Sequence, residues 1–398
     1  MRSLLAAISV SLAACGGADD NAEHVEQTTI APPSTESPAV DAEFQLGRTD
    51  VRDATFIGHS HLLVQTEDGK AYLYRRSDGQ RIALDLRDQT NSWQPKVIWS
   101  SALSDDSVAV YDFQNRRLAV FDTSGRLARA VSLEAPRETP APVAMFADGG
   151  MLVASNFMPS FYAQETGAYT DTTTLLPVTA RAELRGDEIH IARGRRYGAL
   201  AEVNPGDMAK VTRQLDAIHE GAFDGRQRYS TEAPLSPRAQ VAGMHDGFYL
   251  GSSDSTEISV FAPDGSLIRK FDIAQERRPV DADMRERIRD DLSSSTEARF
   301  GRLYDGIAVP DSTPRYAMLL ADREQRLWVE RYPLPRDEET VWTIYTRDGA
   351  RVGCLTLPEG VKLLDATADH VLLARSTILG SVRVQVARYT IEHERCAS

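Results

Sequence analysis

A proline followed by a basic residue stands directly before the first strand-like run of three copies, at Pro95-Lys96, Pro237-Arg238 and Pro314-Arg315, and Arg52 holds a similar place nearer the start. Each precedes an apolar, strand-like run, so the four cations occupy equivalent places in a repeating pattern. Arg and Lys gathered at one mouth of a cavity bind carboxylates, phosphates or sugar acids. Solvated basic residues at the end of a loop are the alternative. Cysteine offers a second chemistry. The chain has three, Cys15, Cys354 and Cys396, with no CxxC or paired-His spacing of the kind that cages a metal, so no metal and no cofactor is expected. The histidines are His24, His59, His61, His190, His219, His245, His370 and His393. No nucleophile elbow accompanies them, so a Ser–His–acid triad is not assembled. No acid recurs at the blade starts in the way an axial calcium site would require. Catalysis is therefore the less favoured expectation.

The N-terminus carries its own signal. Arg2 precedes an apolar run from Leu4 to Leu12, which leads into Leu12-Ala13-Ala14-Cys15. A basic start, a short apolar stretch and small residues form a secretory signal, and the run is too short to span a bilayer. The Leu-Ala-Ala-Cys ending resembles the lipobox of bacterial lipoproteins. That resemblance implies cleavage before Cys15, acylation of its thiol and an anchor of more than one chain, which holds stably. Gly16 rather than Asp follows the cysteine, which by resemblance to Gram-negative sorting implies the outer membrane, facing the periplasm. Membrane contact through the lipid and an envelope protein partner are the expected associations.

From 16 to 47 the chain is acidic and carries Ala31-Pro-Pro-Ser-Thr-Glu-Ser-Pro38. One sign of charge and low hydrophobicity do not offset ordering entropy, so this segment reads as a tether. Signal and tether leave roughly 350 residues, enough for one large all-β domain. The chain has a net charge of -13 and no basic stripe, which excludes nucleic acid as an expected partner. In an oxidising compartment Cys354 and Cys396 make an even pair. A disulfide between them would close a loop of 42 residues (396 minus 354) and stabilise by about 4 kcal/mol at most; two independent thiols are the other expectation.

The elements that must position these residues repeat. Val108-Ala-Val-Tyr111, Leu118-Ala-Val-Phe121 and Ser124-Gly125 return at Phe248-Tyr-Leu250, Ile258-Ser-Val-Phe261 and Asp264-Gly265, with a constant offset of 140 between the glycines. The template recurs at Leu62, Ala71-Tyr-Leu-Tyr74 and Gly79, and at Leu327-Trp-Val329, Trp342 and Asp348-Gly349. Period-two apolar runs joined by Asp-Gly or Ser-Gly are hairpins, and repeats of this length are stacked supersecondary units. Copies fall near 51–86, 97–135, 141–225, 237–275, 314–357 and 360–392. The third is degenerate, so a seventh blade hidden within it is an alternative. Alternation on both faces suits a sheet packed between two others, which makes a six-bladed β-propeller over 48–392 with a tail at 393–398. Val280, Met284, Ile288 and Leu292 recur every four residues behind Asp281, which predicts an inserted amphipathic helix with Asp281 as N-cap.

Asp264-Gly-Ser-Leu-Ile-Arg-Lys-Phe-Asp272 and Gln325-Arg-Leu-Trp-Val-Glu-Arg-Tyr332 resemble bacterial six-bladed propellers of the NHL-like or TolB-like kind. That class contains scaffolds, binders, lyases and lactonases. The resemblance bears on fold rather than activity; the expected role is a binding or scaffold module, with Trp93, Arg238, Arg315 and Tyr316 as candidate rim anchors. A propeller enzyme of lyase or lactonase type, or a binder of a small anion at the axial mouth, is the alternative.

Overall fold

Alternating apolar runs between Asp-Gly turns fold here into six antiparallel sheets. A computed structural model describes residues 39–45, 51–84, 86, 96–133, 140–155, 167–202, 226–294, 308–335, 337–376 and 382–391. The first strand is β1 (Ala39–Gln45). Blade 1 is β2 (Val51–Ile57), β3 (His61–Thr66), β4 (Ala71–Arg75) and β5 (Arg81–Ala83). Blade 2 is β6 (Val97–Ser104), β7 (Ser107–Asp112), β8 (Arg117–Asp122) and β9 (Leu127–Ser132). Blade 3 is β10 (Ala141–Met145), β11 (Met151–Ala154), β12 (Gly167–Val178), β13 (Ile189–Glu202) and β14 (Arg226–Glu232). Blade 4 is β15 (Ala239–Met244), β16 (Gly247–Ser252), β17 (Glu257–Phe261) and β18 (Leu267–Asp272). The helix α1 (Ala282–Ser294) comes next. Blade 5 is β19 (Tyr316–Ala321), β20 (Leu327–Arg331), β21 (Glu339–Tyr345) and β22 (Arg351–Pro358), and blade 6 holds β23 (Val361–Ala366), β24 (His370–Ser376) and β25 (Val382–Arg388).

Two differences from the sequence reading have physical causes. Residues 39–45, assigned to the tether, form the outermost strand of blade 6, with sheet order β1-β25-β24-β23. Phe44 is buried in the core between blades 6 and 1, while Asp41 and Glu43 pair with Arg388 and Arg383. The acidic residues that suggested a solvated linker thus serve the outer strand's ion pairs. The degenerate third copy is one five-stranded sheet rather than two blades. Its strands β12 and β13 run 12 and 14 residues, which stretches the repeat without splitting it.

Each seam between neighbouring blades has its own apolar cluster. Ala54, Phe56 and Val384 fill the seam of blades 6 and 1; Leu73 and Phe121 that of 1 and 2; Tyr111 and Met151 that of 2 and 3. Phe146 and Phe248 meet between blades 3 and 4, Tyr249 and Tyr316 between 4 and 5, and Trp342 and Leu373 between 5 and 6. Six seams for six blades close the ring. The repeated hairpin needs glycine at Gly125 and Gly265, both at φ +82°, a region open to glycine at no steric cost.

The strands that open each repeat, β2, β6, β10, β15, β19 and β23, are the inner ones. Consecutive strands alternate direction, so loops divide between the face where inner strands begin, here the leading face, and the opposite trailing face. Helix α1 is capped as expected, with Met284 N donating to Asp281 Oδ1 at 2.7 Å. Met284 of the helix and Val280 just before it pack with Leu334, in the β20–β21 loop, and Leu235, just before blade 4. That places it on the leading face over blades 4 and 5. Arg278 and Asp337 lock the same region, with Arg278 Nη2 donating to Asp337 Oδ1 at 2.7 Å. Arg278 and the Leu334 amide hold the Asp337 carboxyl below the usual range against its partial burial.

Candidate functional site

Inner strands in a propeller flank the central passage, so groups on them are the ones a small ligand would meet. Five of the six inner strands carry a register shift against their neighbour, at β2, β6, β10, β19 and β23. A bulge adds local twist and re-aims the side chain that follows it. In β2 the residue after the shift is Asp53, and in β23 it is Asp365. Both strands border the seam of blades 6 and 1.

The two carboxyls are held differently. Asp365 Oδ2 accepts from Thr55 Oγ1 at 2.6 Å and from the Phe56 amide at 2.8 Å, both across the seam. Its Oδ1 accepts from the Ala366 amide at 2.8 Å. Asp53 Oδ1 accepts from the Ala54 amide at 2.9 Å. Lys362 Nζ donates to the Arg52 carbonyl at 3.1 Å, also across the seam. On the trailing side Arg323, from the β19–β20 loop of blade 5, donates to the Phe56 carbonyl in blade 1. It also donates to Asp105 Oδ1 of blade 2 at 2.8 Å. One guanidinium therefore ties three blades.

Burial governs the charge state. Asp53 is partly exposed, and desolvation by the surrounding strands pushes its carboxyl up to about 7; Lys362 opposes this and Asp365 reinforces it. Burial also raises Asp365, against the bonds from Thr55, Phe56 and Ala366 and the charge of Arg323. A carboxyl that titrates near neutrality beside a second carboxyl can hold a proton and exchange it with a ligand.

The residues expected from sequence are distributed as follows. Arg52, Lys96, Arg238 and Arg315 all stand at blade starts on the leading face. Arg52 meets Lys362 through its carbonyl and acts on Asp53. The Lys96 amide donates to the buried Asp112 at 2.9 Å, and the Arg238 amide to Ser253 Oγ at 2.8 Å; both side chains are exposed. Arg315 points its guanidinium at backbone carbonyls, Gln275 O at 2.9 Å and Asp254 O at 3.3 Å. It thereby staples blade 5 to blade 4. Tyr316 is not displayed on the rim: it is fully buried between blades 4 and 5. Gly251 leaves it room, because a Cβ there would lie 2.4 Å from its hydroxyl. Trp93, Cys15 and Cys396 lie outside the described residues, as do His24, His219 and His393.

The described histidines serve turns and strand edges. His61 Nδ1 meets Ser60 Oγ at 2.8 Å, and burial and Arg75 depress its pKa. His190 Nδ1 meets Thr174 Oγ1 at 3.0 Å. His370 is not a plain turn residue; it lies between Asp369, at 2.7 Å, and Asp41 of β1, at 2.9 Å.

Sequence reasoning overlooked the axial acids, although a signal was present. Asp53-Ala-Thr55 of β2 recurs as Asp365-Ala-Thr367, which begins in β23 and ends just beyond it, in the first and last copies. An acid does recur at blade starts, in the two blades that meet at the closing seam. Arg323 had no local signal, since its partners lie more than 200 residues away.

Cys354 is buried on β22 and disulfide-bonded, and both other cysteines lie outside the described residues. Non-reducing peptide mapping is expected to join the Cys354 peptide to the Cys396 peptide. A link to Cys15, or a free thiol at Cys396, would remove that pairing.

No family model matches the chain, and no curated protein matches it. Among solved structures, a member of the DUF4221 family from Bacteroides vulgatus is similar with a TM-score of 0.44 at 10% identity, covering 90% of this chain and 98% of the other. A streptogramin B lyase is similar with a TM-score of 0.38 at 9% identity, covering 87% and 97%. Similarity at this level concerns the arrangement of strands alone. The six-bladed β-propeller itself rests on the six sheets and six seams of this chain.

Proposed function

We propose that this chain is an envelope lipoprotein, anchored through Cys15 in the outer membrane and facing the periplasm, whose propeller is a rigid binding module for an envelope protein. The observation that carries the reading is the use of charge at the blade junctions. Arg315 is engaged by two carbonyls of blade 4, Arg323 ties blades 5, 1 and 2, and Arg326 donates to the Thr367 carbonyl of blade 6 at 2.9 Å. Cations that stiffen the frame pre-organise the loops, and a pre-organised rim binds a partner with little ordering cost.

In-cell cross-linking followed by purification tests the module, with Cys15→Ser as the control for the anchor. The expected result is a stoichiometric envelope protein that co-purifies with the wild type. Cys15→Ser is expected to move the protein into the soluble envelope fraction; its continued retention in the membrane pellet would remove the anchor.

The axial carboxyls favour a second reading, a small-ligand site or propeller enzyme of lyase or lactonase type. Asp53, titrating at about 7, has the charge state that acid–base chemistry requires. Absence of a cross-linked partner, together with a ligand whose binding or turnover is lost in Asp53→Asn, would select this reading over the first.

A further inference from the structure

The residue that follows the first register shift of an inner strand holds the same place in each blade. It is Asp53 in blade 1, Trp99 in blade 2, Ala144 in blade 3, Met318 in blade 5 and Asp365 in blade 6. Equivalent places in a propeller lie at one height around the axis. Blade 4 keeps its register. Its Gly243 meets Ala144 so closely that a Cβ there would lie 2.7 Å from the Ala144 Cβ, which sets Gly243 at the same height. These six positions make a belt around the passage.

The belt changes in character around the ring. Blades 6 and 1 bring two carboxyls. Directly opposite, blades 3 and 4 bring only a methyl group and a glycine. Trp99 and Met318 stand on the two sides between. An inner strand has a blade against each face and a partner along its outer edge, so its middle is wetted only from the axis. Met318 is 36% exposed there, and Asp53, Trp99 and Asp365 are partly exposed.

Most charges near the belt are already committed. Asp365 accepts from Thr55, Phe56 and Ala366. The Lys362 ammonium donates to the Arg52 carbonyl. Asp53 accepts from the Ala54 amide through Oδ1, and its Oδ2 has no partner among the described residues. Arg323 reaches from blade 5 to the Phe56 carbonyl of blade 1 and to Asp105 of blade 2, the blade opposite its own. It therefore lies across the trailing mouth, and the belt is reached from the leading face.

We propose that this belt binds a small organic cation, an amine carried on a compact apolar or aromatic body; the inference rests on the small-ligand reading above and names its class. The ammonium donates to Asp53 Oδ2 in a charge-assisted bond. The indole of Trp99 attracts the same cation, and the Met318 thioether packs on the body. The body extends towards Ala144 and Gly243, where the side chains are smallest. A mostly apolar wall with a few placed polar groups is the usual form of a small-molecule site. An anion at this height would set its charge beside two carboxyls. The cations read from the sequence stand ahead of the belt at the blade starts, where Arg315 is engaged by carbonyls.

Calorimetric titration of the full chain with benzylamine, benzyl alcohol and benzoate tests this, because the three probes share a ring and differ in charge. Benzylamine is expected to bind saturably, benzyl alcohol about tenfold more weakly and benzoate more weakly still. Benzylamine is also expected to change the tryptophan emission. Trp99→Phe should remove that change, since Trp328 and Trp342 are fully buried. Asp53→Asn is expected to weaken benzylamine about tenfold and to leave benzyl alcohol unmoved. Benzoate or benzyl alcohol binding as tightly as benzylamine would overturn the amine class and leave the small-ligand reading standing. Failure of all three probes to bind would overturn the belt as a site and the small-ligand reading with it. Benzylamine binding that neither Asp53→Asn nor Trp99→Phe alters would put the cation elsewhere and overturn the proposal. If Asp53→Asn does not fold, the order of the three probes on the wild type and the emission of Trp99→Phe decide it.

Discussion

Phe44→Ala is expected to destabilise the propeller by about 3–5 kcal/mol, and deletion of residues 39–45 to abolish cooperative folding of the ring. Phe44 is 6% exposed, in the core that blades 6 and 1 share, edge-to-face on Tyr74 with ring centroids 5.9 Å apart. Truncation leaves a cavity bordered by Phe56, Leu372 and Val384 on rigid strands, which has little means to collapse. Domains of ordinary stability hold only about 5–15 kcal/mol in total, so this single change takes a large share. Deletion goes further, because it strips β25 of its outer partner and leaves a bare strand edge. Urea unfolding followed by circular dichroism measures both. A Phe44→Ala midpoint within experimental error of the wild type, or a cooperative transition in the deletion protein, would show that β1 is an ornament on the ring rather than its clasp.

The same strand illustrates what was legible in the sequence. Val40, Ala42 and Phe44 alternate with Asp41 and Glu43, which is a strand pattern. It reads as a linker because it follows a proline-rich acidic stretch and because its partners are remote. Glu43 pairs with Arg383 and Gln385, and Asp41 with Arg388 and His370. No local rule reports a bond across more than 300 residues. By contrast, the blades themselves depend on short-range signals, alternation and turn glycines such as Gly125 and Gly265. Those could be read directly, as could the Asp281 cap of α1. The site fell between these cases. Equivalent blade starts share one face by the repeat itself, but where a guanidinium points is decided by its neighbours. Arg315 found carbonyls of the preceding blade. The axial acids were visible as a repeated Asp-Ala-Thr, yet their pairing requires knowing that the first and last copies adjoin.

A second large effect is expected at Asp322, whose replacement by Ala should cost about 3–5 kcal/mol. The side chain is fully buried, and three donors converge on it: Arg326 Nε at 2.6 Å, the Arg326 amide at 2.8 Å and Trp328 Nε1 at 2.8 Å. Arg326 carries the network into blade 6, to the Thr367 carbonyl at 2.9 Å and the Tyr389 hydroxyl at 2.8 Å. Tyr389 in turn stands edge-to-face on Trp328 with centroids 5.3 Å apart. Burial raises the Asp322 pKa in spite of Trp328 and Arg326, while at Arg326 the attraction of Asp322 and Tyr389 overcomes burial and raises the pKa as well, so the guanidinium leans on this carboxyl. In such a place removing one partner is worse than never having had the pair, because the Arg326 Nε–H and the buried Trp328 indole N–H lose their acceptor. Asp322→Asn keeps one acceptor oxygen for Trp328 and is expected to cost less than Asp322→Ala. Urea titrations of the two variants, read by tryptophan fluorescence and by circular dichroism, separate the outcomes. If Ala and Asn both lie within about 1 kcal/mol of the wild type, the seam between blades 5 and 6 is held by its apolar cluster alone and the buried carboxylate is dispensable to it.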